Sequence, residues 1–128
     1  MNRSHASLIA ALLAASALTG EAAPSTVASV STNLLQSMVK LALADAARRS
    51  PGDAATLKVA SAEPVTWPDA AIGCAQPGMQ YAQALVPGFR IRIQAGAQML
   101  EYHASQRGQP LYCPAERISE PAAVDPRT

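Results

Sequence analysis

Glu101 and His103 flank Tyr102 in the segment Met99-Leu100-Glu101-Tyr102-His103. In an extended chain successive side chains point to opposite faces, so Glu101 and His103 share one face and Tyr102 takes the other. A carboxylate beside an imidazole orients the ring and favours its charged form, an arrangement used in acid–base catalysis and behind metal ligands. Asp69, in the corner Trp67-Pro68-Asp69, is the other candidate acid, base or ion ligand. Together Asp69, Glu101 and His103 would form the catalytic set of a small hydrolase-like enzyme. A plainer reading stands beside each and is preferred. Asp69 can accept the backbone N–H two residues on, an Asx turn that shapes a loop. Glu101 can pair with Arg90 or Arg92 of a neighbouring strand on an exposed face, where each pair contributes about 0–1 kcal/mol.

Other chemistries have less support. The chain has two histidines, and His5 lies in an expected leader, leaving His103 alone for a triad or a metal. Met79 and Met99 with His103 would make a soft copper site, but methionines in a small domain more often pack as core. No glycine loop of the phosphate-binding kind and no serine–histidine–acid spacing is present, so neither a metal nor another cofactor is expected. The formal net charge of +1 gives no basic surface for nucleic acid.

These residues must be held by something, and the stretch Trp67 to Tyr81 is the natural holder. It contains the only tryptophan, one of two cysteines, two prolines and two glycines. Such a segment is too irregular for a helix and too rich in turn formers for a continuous strand. It reads as a shaped loop pinned to a core, with Trp67 as its apolar anchor. The pin would be a disulfide between Cys74 and Cys113, the simplest use of two cysteines in an exported chain. Closing a loop of about 40 residues stabilises by roughly 4 kcal/mol in the chain-entropy model. A free catalytic thiol is the sharper alternative, and the second cysteine argues against it.

Export is read from the first residues. Arg3 precedes an apolar run from Leu8 to Leu18, and Gly20 and Ala22 suit the small-residue positions before a cleavage site. Residues 1–22 are thus expected to be a signal peptide cleaved near Ala22, placing the chain in the periplasm or outside the cell. The run is well short of the roughly 20 residues of a membrane-spanning helix, so no stable membrane anchor is expected. Roughly 100 residues then remain, enough for one small domain.

Residues 23–30 are small and polar, an expected flexible lead-in. Ser31 or Thr32 can cap a helix with apolar positions Leu34, Leu35, Met38, Leu41, Ala42 and Ala46. Ser50-Pro51-Gly52-Asp53 ends it. Strands are expected from Leu57 towards Trp67, over Tyr81 to Val86, over Phe89 to Gln94, over Met99 to His103, and at Leu111 to Cys113. Pro87-Gly88 and Ala95-Gly96 read as tight turns between them. Phe89, Ile91 and Ile93 alternate with Arg90, Arg92 and Gln94, so one face can pack on the helix. The expected fold is α+β: one N-terminal helix over an antiparallel four- to five-stranded meander, residues 31–114. Residues 115–128 read as a disordered, proline- and alanine-rich tail.

The central block resembles a group of small exported bacterial proteins of uncharacterised function that share the pattern W-P/S-D-x-S-L-G-C-P-x-P-G-x-x-Y, then a strand pair ending in Y-E-Y-H and a late cysteine. The matching residues are Trp67, Pro68, Asp69, Gly73, Cys74, Pro77, Gly78 and Tyr81. Pro87, Gly88, Phe89, Arg90, Ile91, Glu101, Tyr102, His103 and Cys113 extend the likeness. The chain departs from the pattern at Ala71, Ile72 and Ala75, where serine, leucine and proline are usual. Ala71 weakens any scheme with a serine nucleophile there. The resemblance implies a compartment and a fold, and no activity.

Two functions compete. A non-catalytic interaction module would use Trp67, Asp69, Met79 and Tyr81 to bind an envelope or secreted protein as a monomer, and inhibition of a peptidase by the Met79 loop is one form of it. The alternative is the acid–base enzyme of Asp69, Glu101 and His103. A third, purely structural role in the cell envelope differs from the first in lacking a defined complex.

Overall fold

The computed structural model describes residues 26–123, together with Ala14, Ser16 and Gly20. The expected signal peptide and its cleavage near Ala22 otherwise lie outside the described residues. One helix, α1 (Thr26–Arg49), precedes four strands: β1 (Lys58–Trp67), β2 (Val86–Ala95), β3 (Gln98–Ser105) and β4 (Leu111–Cys113). The strands pair antiparallel in the order β1-β2-β3-β4. This is the expected α+β meander, with four strands.

Helix α1 buries Met38, Ala42 and Ala46, a stripe at four-residue spacing, with Leu34, Leu35, Val39 and Leu43 packed at its margins. Two alanines at the centre of the stripe let the helix lie close to the sheet. Two expectations change here. The helix begins at Thr26 rather than at a Ser31 or Thr32 cap, so part of the expected lead-in is helical. No proline or glycine stands between Ser25 and Ser50 to interrupt it. Leu41 is 46% exposed, because it sits about 100° of helix rotation from Ala42 and outside the stripe.

The apolar face of the sheet is the one that alternation predicts. Phe89, Ile91 and Ile93 of β2 stand opposite Ala104, Tyr102 and Leu100 of β3, and all six are buried against α1. The end of the helix is clamped by polar groups. The Tyr102 hydroxyl donates to Asp45 at 2.8 Å, Asp45 also pairs with Arg48 and Arg49, and Arg49 stacks 4.1 Å over the Tyr112 ring. Burial and the bond to Asp45 push the Tyr102 phenol well above its ordinary pKa.

Three further expectations are corrected. Residues 81–85 form no strand, so the connection from β1 to β2 is one long loop. Pro87-Gly88 is no turn either: both residues lie inside β2, paired with Thr66 and Val65. Proline is tolerated there because it stands one residue from the strand's start. The segment after Cys113 is seated on the domain as far as Ala122 rather than disordered, and residues 124–128 lie outside the described residues. Ala115–Arg117 forms a 3-10 turn, Ile118 bridges to Cys74, and the Ser119 and Ala122 N–H groups donate to Gly73 and Thr66.

The disulfide between Cys74 and Cys113 is formed, with 5.8 Å between Cα atoms. It joins the long loop to the end of β4. Replacing both cysteines with serine is expected to cost about 4 kcal/mol, read as a lower urea midpoint. The helical circular dichroism at zero denaturant should be retained, because α1 packs on the opposite face.

Candidate functional site

The candidate site is the sheet face turned away from α1. Alternation along β2 and β3 puts Gly88, Arg90 and Arg92 on this face with Glu101 and His103. The loop after β1 folds back over it. Arg90, Glu101 and His103 are consequently buried, where an exposed salt-bridged face was expected.

Trp67 closes β1 and starts the loop. Its indole is fully buried, and Nε1–H donates to the Ala104 carbonyl at 3.1 Å. The ring lies against His103, centroids 4.3 Å apart and planes tilted by 32°. Two glycines make room for it. A Cβ on Gly88 would lie 1.9 Å from the Ala104 carbonyl oxygen and 2.9 Å from the indole nitrogen. A Cβ on Gly73 would lie 2.3 Å from the indole ring.

The loop reaches Gly73 through a tight corner. Asp69 Oδ1 accepts the Ala71 N–H at 2.9 Å, the Asx turn of the plainer reading. Ile72 and Gly73 then both take left-handed backbone, with φ of 49° and 71°. For a β-branched residue that conformation costs on the order of 1–3 kcal/mol, and it persists only where surrounding contacts impose it. Here the contact is visible: the Ile72 carbonyl is turned inward onto His103 Nδ1 at 2.8 Å.

His103 is therefore held at both ends. A carbonyl oxygen only accepts, so Nδ1 must be the donor in that bond. Nε2 meets Glu101 Oε1 at 2.7 Å. The same Oε1 accepts from Arg90 Nε at 2.6 Å, and Oε2 accepts from Arg92 Nε at 3.3 Å. The outer nitrogens of Arg90 form a bidentate pair with Glu120, at 2.7 and 3.2 Å. Burial works to raise the Glu101 pKa, but hydrogen bonds from His103 and Arg90 outweigh it and hold the carboxyl below its ordinary range.

This arrangement assigns each expected site residue a place. Glu101, His103 and Trp67 are brought together, but inside the fold. Asp69 spends its carboxylate on the loop. The Tyr81 hydroxyl accepts the Gln76 N–H at 2.9 Å, so Tyr81 braces the loop tip. Met79 is 59% exposed at that tip, and Met99 is exposed on β3. His103 has no ring nitrogen left for a soft metal. Among the described residues no group of three His, Cys, Asp or Glu side chains is placed to hold a metal ion. Glu120 and Ile72 are the members that sequence reasoning missed. Glu120 lies in a proline- and alanine-rich stretch with no periodicity, and a left-handed isoleucine has no sequence signature.

Two measurements check this geometry. Glu101→Gln is expected to cost about 3–5 kcal/mol at neutral pH, because it leaves Arg90 buried with half its pairing gone. A carboxyl whose folded pKa is depressed contributes stability that is present above its unfolded value, near 4.5. That stability is lost as pH falls below this value through the folded pKa. Denaturation midpoints of the wild type should therefore fall from about pH 4.5 downward, and more shallowly in Glu101→Gln. Asp45 and Glu120, also depressed by their arginine partners, keep a residual slope. Gly88→Ala is expected to cost more than about 2 kcal/mol, because the added methyl meets backbone rather than a movable side chain.

A family model described as a domain of unknown function (DUF8738) matches residues 39–113. The match takes in Trp67, the loop, Arg90, Glu101, His103 and both cysteines, and stops before Glu120. No curated protein and no solved structure matches the chain.

Proposed function

We propose, for a chain that belongs to the family of the domain of unknown function DUF8738, an exported, non-catalytic interaction module of bacterial origin. Its binding element is the tip of the disulfide-locked loop, residues 75–80, with Met79 at the centre. The observation that carries this reading is the direction of the polar groups. Asp69, Glu101 and His103 are spent on holding the loop, while residues 75–80 are all exposed. An acid–base enzyme would need a ring nitrogen or carboxylate open to a substrate, and His103 offers none.

A loop held by a disulfide, a buried indole and a charge cluster loses little conformational freedom on binding, which favours affinity. The apolar signal-like run and the disulfide support an oxidising compartment outside the cytoplasm. No described helix is long and apolar enough to cross a membrane.

The test uses the mature full-length protein and Met79→Asp, compared in pull-downs from periplasmic extract and in a peptidase panel. The expected outcome is a partner or an inhibited peptidase retained by the wild type and lost in Met79→Asp, with unchanged melting temperature. Equal retention by both proteins, or none by either at micromolar concentration, overturns the reading. N-terminal sequencing of the exported protein should find a start near Ala23.

A further inference from the structure

Arg90 divides its guanidinium between two carboxylates of different standing. Glu101 is its neighbour in the sheet and is as deeply buried as Arg90 itself. Glu120 comes from the strap after Ile118, and its side chain is 76% exposed. The family match ends at Cys113. It thus contains the arginine and the inner carboxylate and leaves out the residue that fills the outer fork.

The strap itself is held as an extended ligand would be. The Ser119 N–H donates to the Gly73 carbonyl, the Ala122 N–H donates to the Thr66 carbonyl, both at 2.8 Å, and Glu120 lies between them on Arg90. Two main-chain acceptors and one arginine fork thus read an N–H, a carboxylate and a second N–H along one extended segment. One bond goes to the edge strand β1 at Thr66 and the other to the loop at Gly73; main-chain bonds with a side-chain site between them are a recurring mode of peptide recognition. A planar guanidinium suits the carboxylate, since it binds both oxygens at once. Beside the strap is a groove of about 300 Å³, lined in part by Glu63, Val65, Thr66 and Arg90. Glu63 stands opposite Arg90 in register. Its charge favours a single carboxylate over an acidic run.

We propose that the end of β1 and the loop at Gly73, with Arg90 beneath them, form a binding site for an extended peptide segment bearing one glutamate, and that Ser119–Ala122 is its resident intramolecular occupant. A partner protein with such a segment displaces the strap and takes over both carbonyls and the arginine fork. The site uses none of residues 75–80, so its test does not depend on the function proposed above.

The test uses the full-length chain and Glu120→Gln, whose changed side chain is exposed. The probes are fluorescein-labelled Ile-Ser-Glu-Pro-Ala-Ala and its glutamine counterpart, Ile-Ser-Gln-Pro-Ala-Ala, read by fluorescence anisotropy. Glu120→Gln should bind the glutamate peptide at least about tenfold more tightly than the wild type does, and at least about tenfold more tightly than it binds the glutamine peptide. Hydrogen exchange at the Ser119 and Ala122 amides of the wild type should accelerate when the glutamate peptide is added. A Glu120→Gln protein that melts as a folded domain and binds the two peptides alike, or neither, overturns the proposal. So does peptide binding that leaves both strap amides as protected as before. Should Glu120→Gln fail to fold, the wild-type exchange experiment decides alone, and unchanged protection at millimolar peptide counts against the site.

Discussion

Burying a carboxylate, a guanidinium and an imidazole under one loop is the constraint from which the rest of this structure follows. Charges taken out of water destabilise a fold by several kcal/mol each unless every donor and acceptor is met. Glu101 takes donors from Arg90 and Arg92 and faces His103 Nε2 at 2.7 Å. His103 Nδ1 needs an acceptor of its own. The loop supplies it by turning the Ile72 carbonyl inward. The left-handed backbone at Ile72 thus coincides with a hydrogen bond that turns its carbonyl onto His103.

The same requirement accounts for the covering groups. Trp67 lies over His103, which is fully buried. The indole in turn needs Gly88 and Gly73 beneath and beside it, and the Ala104 carbonyl for its own N–H. The disulfide reduces the freedom of the unfolded loop, which offsets the cost of ordering so irregular a segment. The sheet therefore has two unlike covers. On one side α1 packs through a largely apolar interface, pinned at its end by the Tyr102–Asp45 bond and by Arg49 over Tyr112. On the other a polar clamp depends on individual atoms.

This division bears on function. The residue types that suggest catalysis in a linear reading are those a polar clamp requires, because carboxylate, imidazole and guanidinium groups satisfy one another. Their chemistry is spent internally. What faces outward is a braced loop tip and a strap bonded to the end of β1 and to the loop.

Much of the fold was legible in the sequence because it depends on local order. A 3.6-residue period marks α1, alternation marks Phe89 to Gln94 of β2, and the two-residue repeat of an extended chain places Glu101 and His103 together. Two cysteines in a chain with a leader-like start imply their own pairing. Other features depended on contacts between distant residues. Pro87-Gly88 has the composition of a turn, yet Gly88 sits in a strand because the Trp67 indole and a carbonyl from β3 approach it there. Glu101 has the pattern of an exposed residue, yet it is buried because a loop from β1 and a strap from beyond β4 close over it. Periodicity along a chain determines which side chains share a face. Only the packing of segments far apart in sequence decides which faces meet water, since burial is a property of the whole assembled surface.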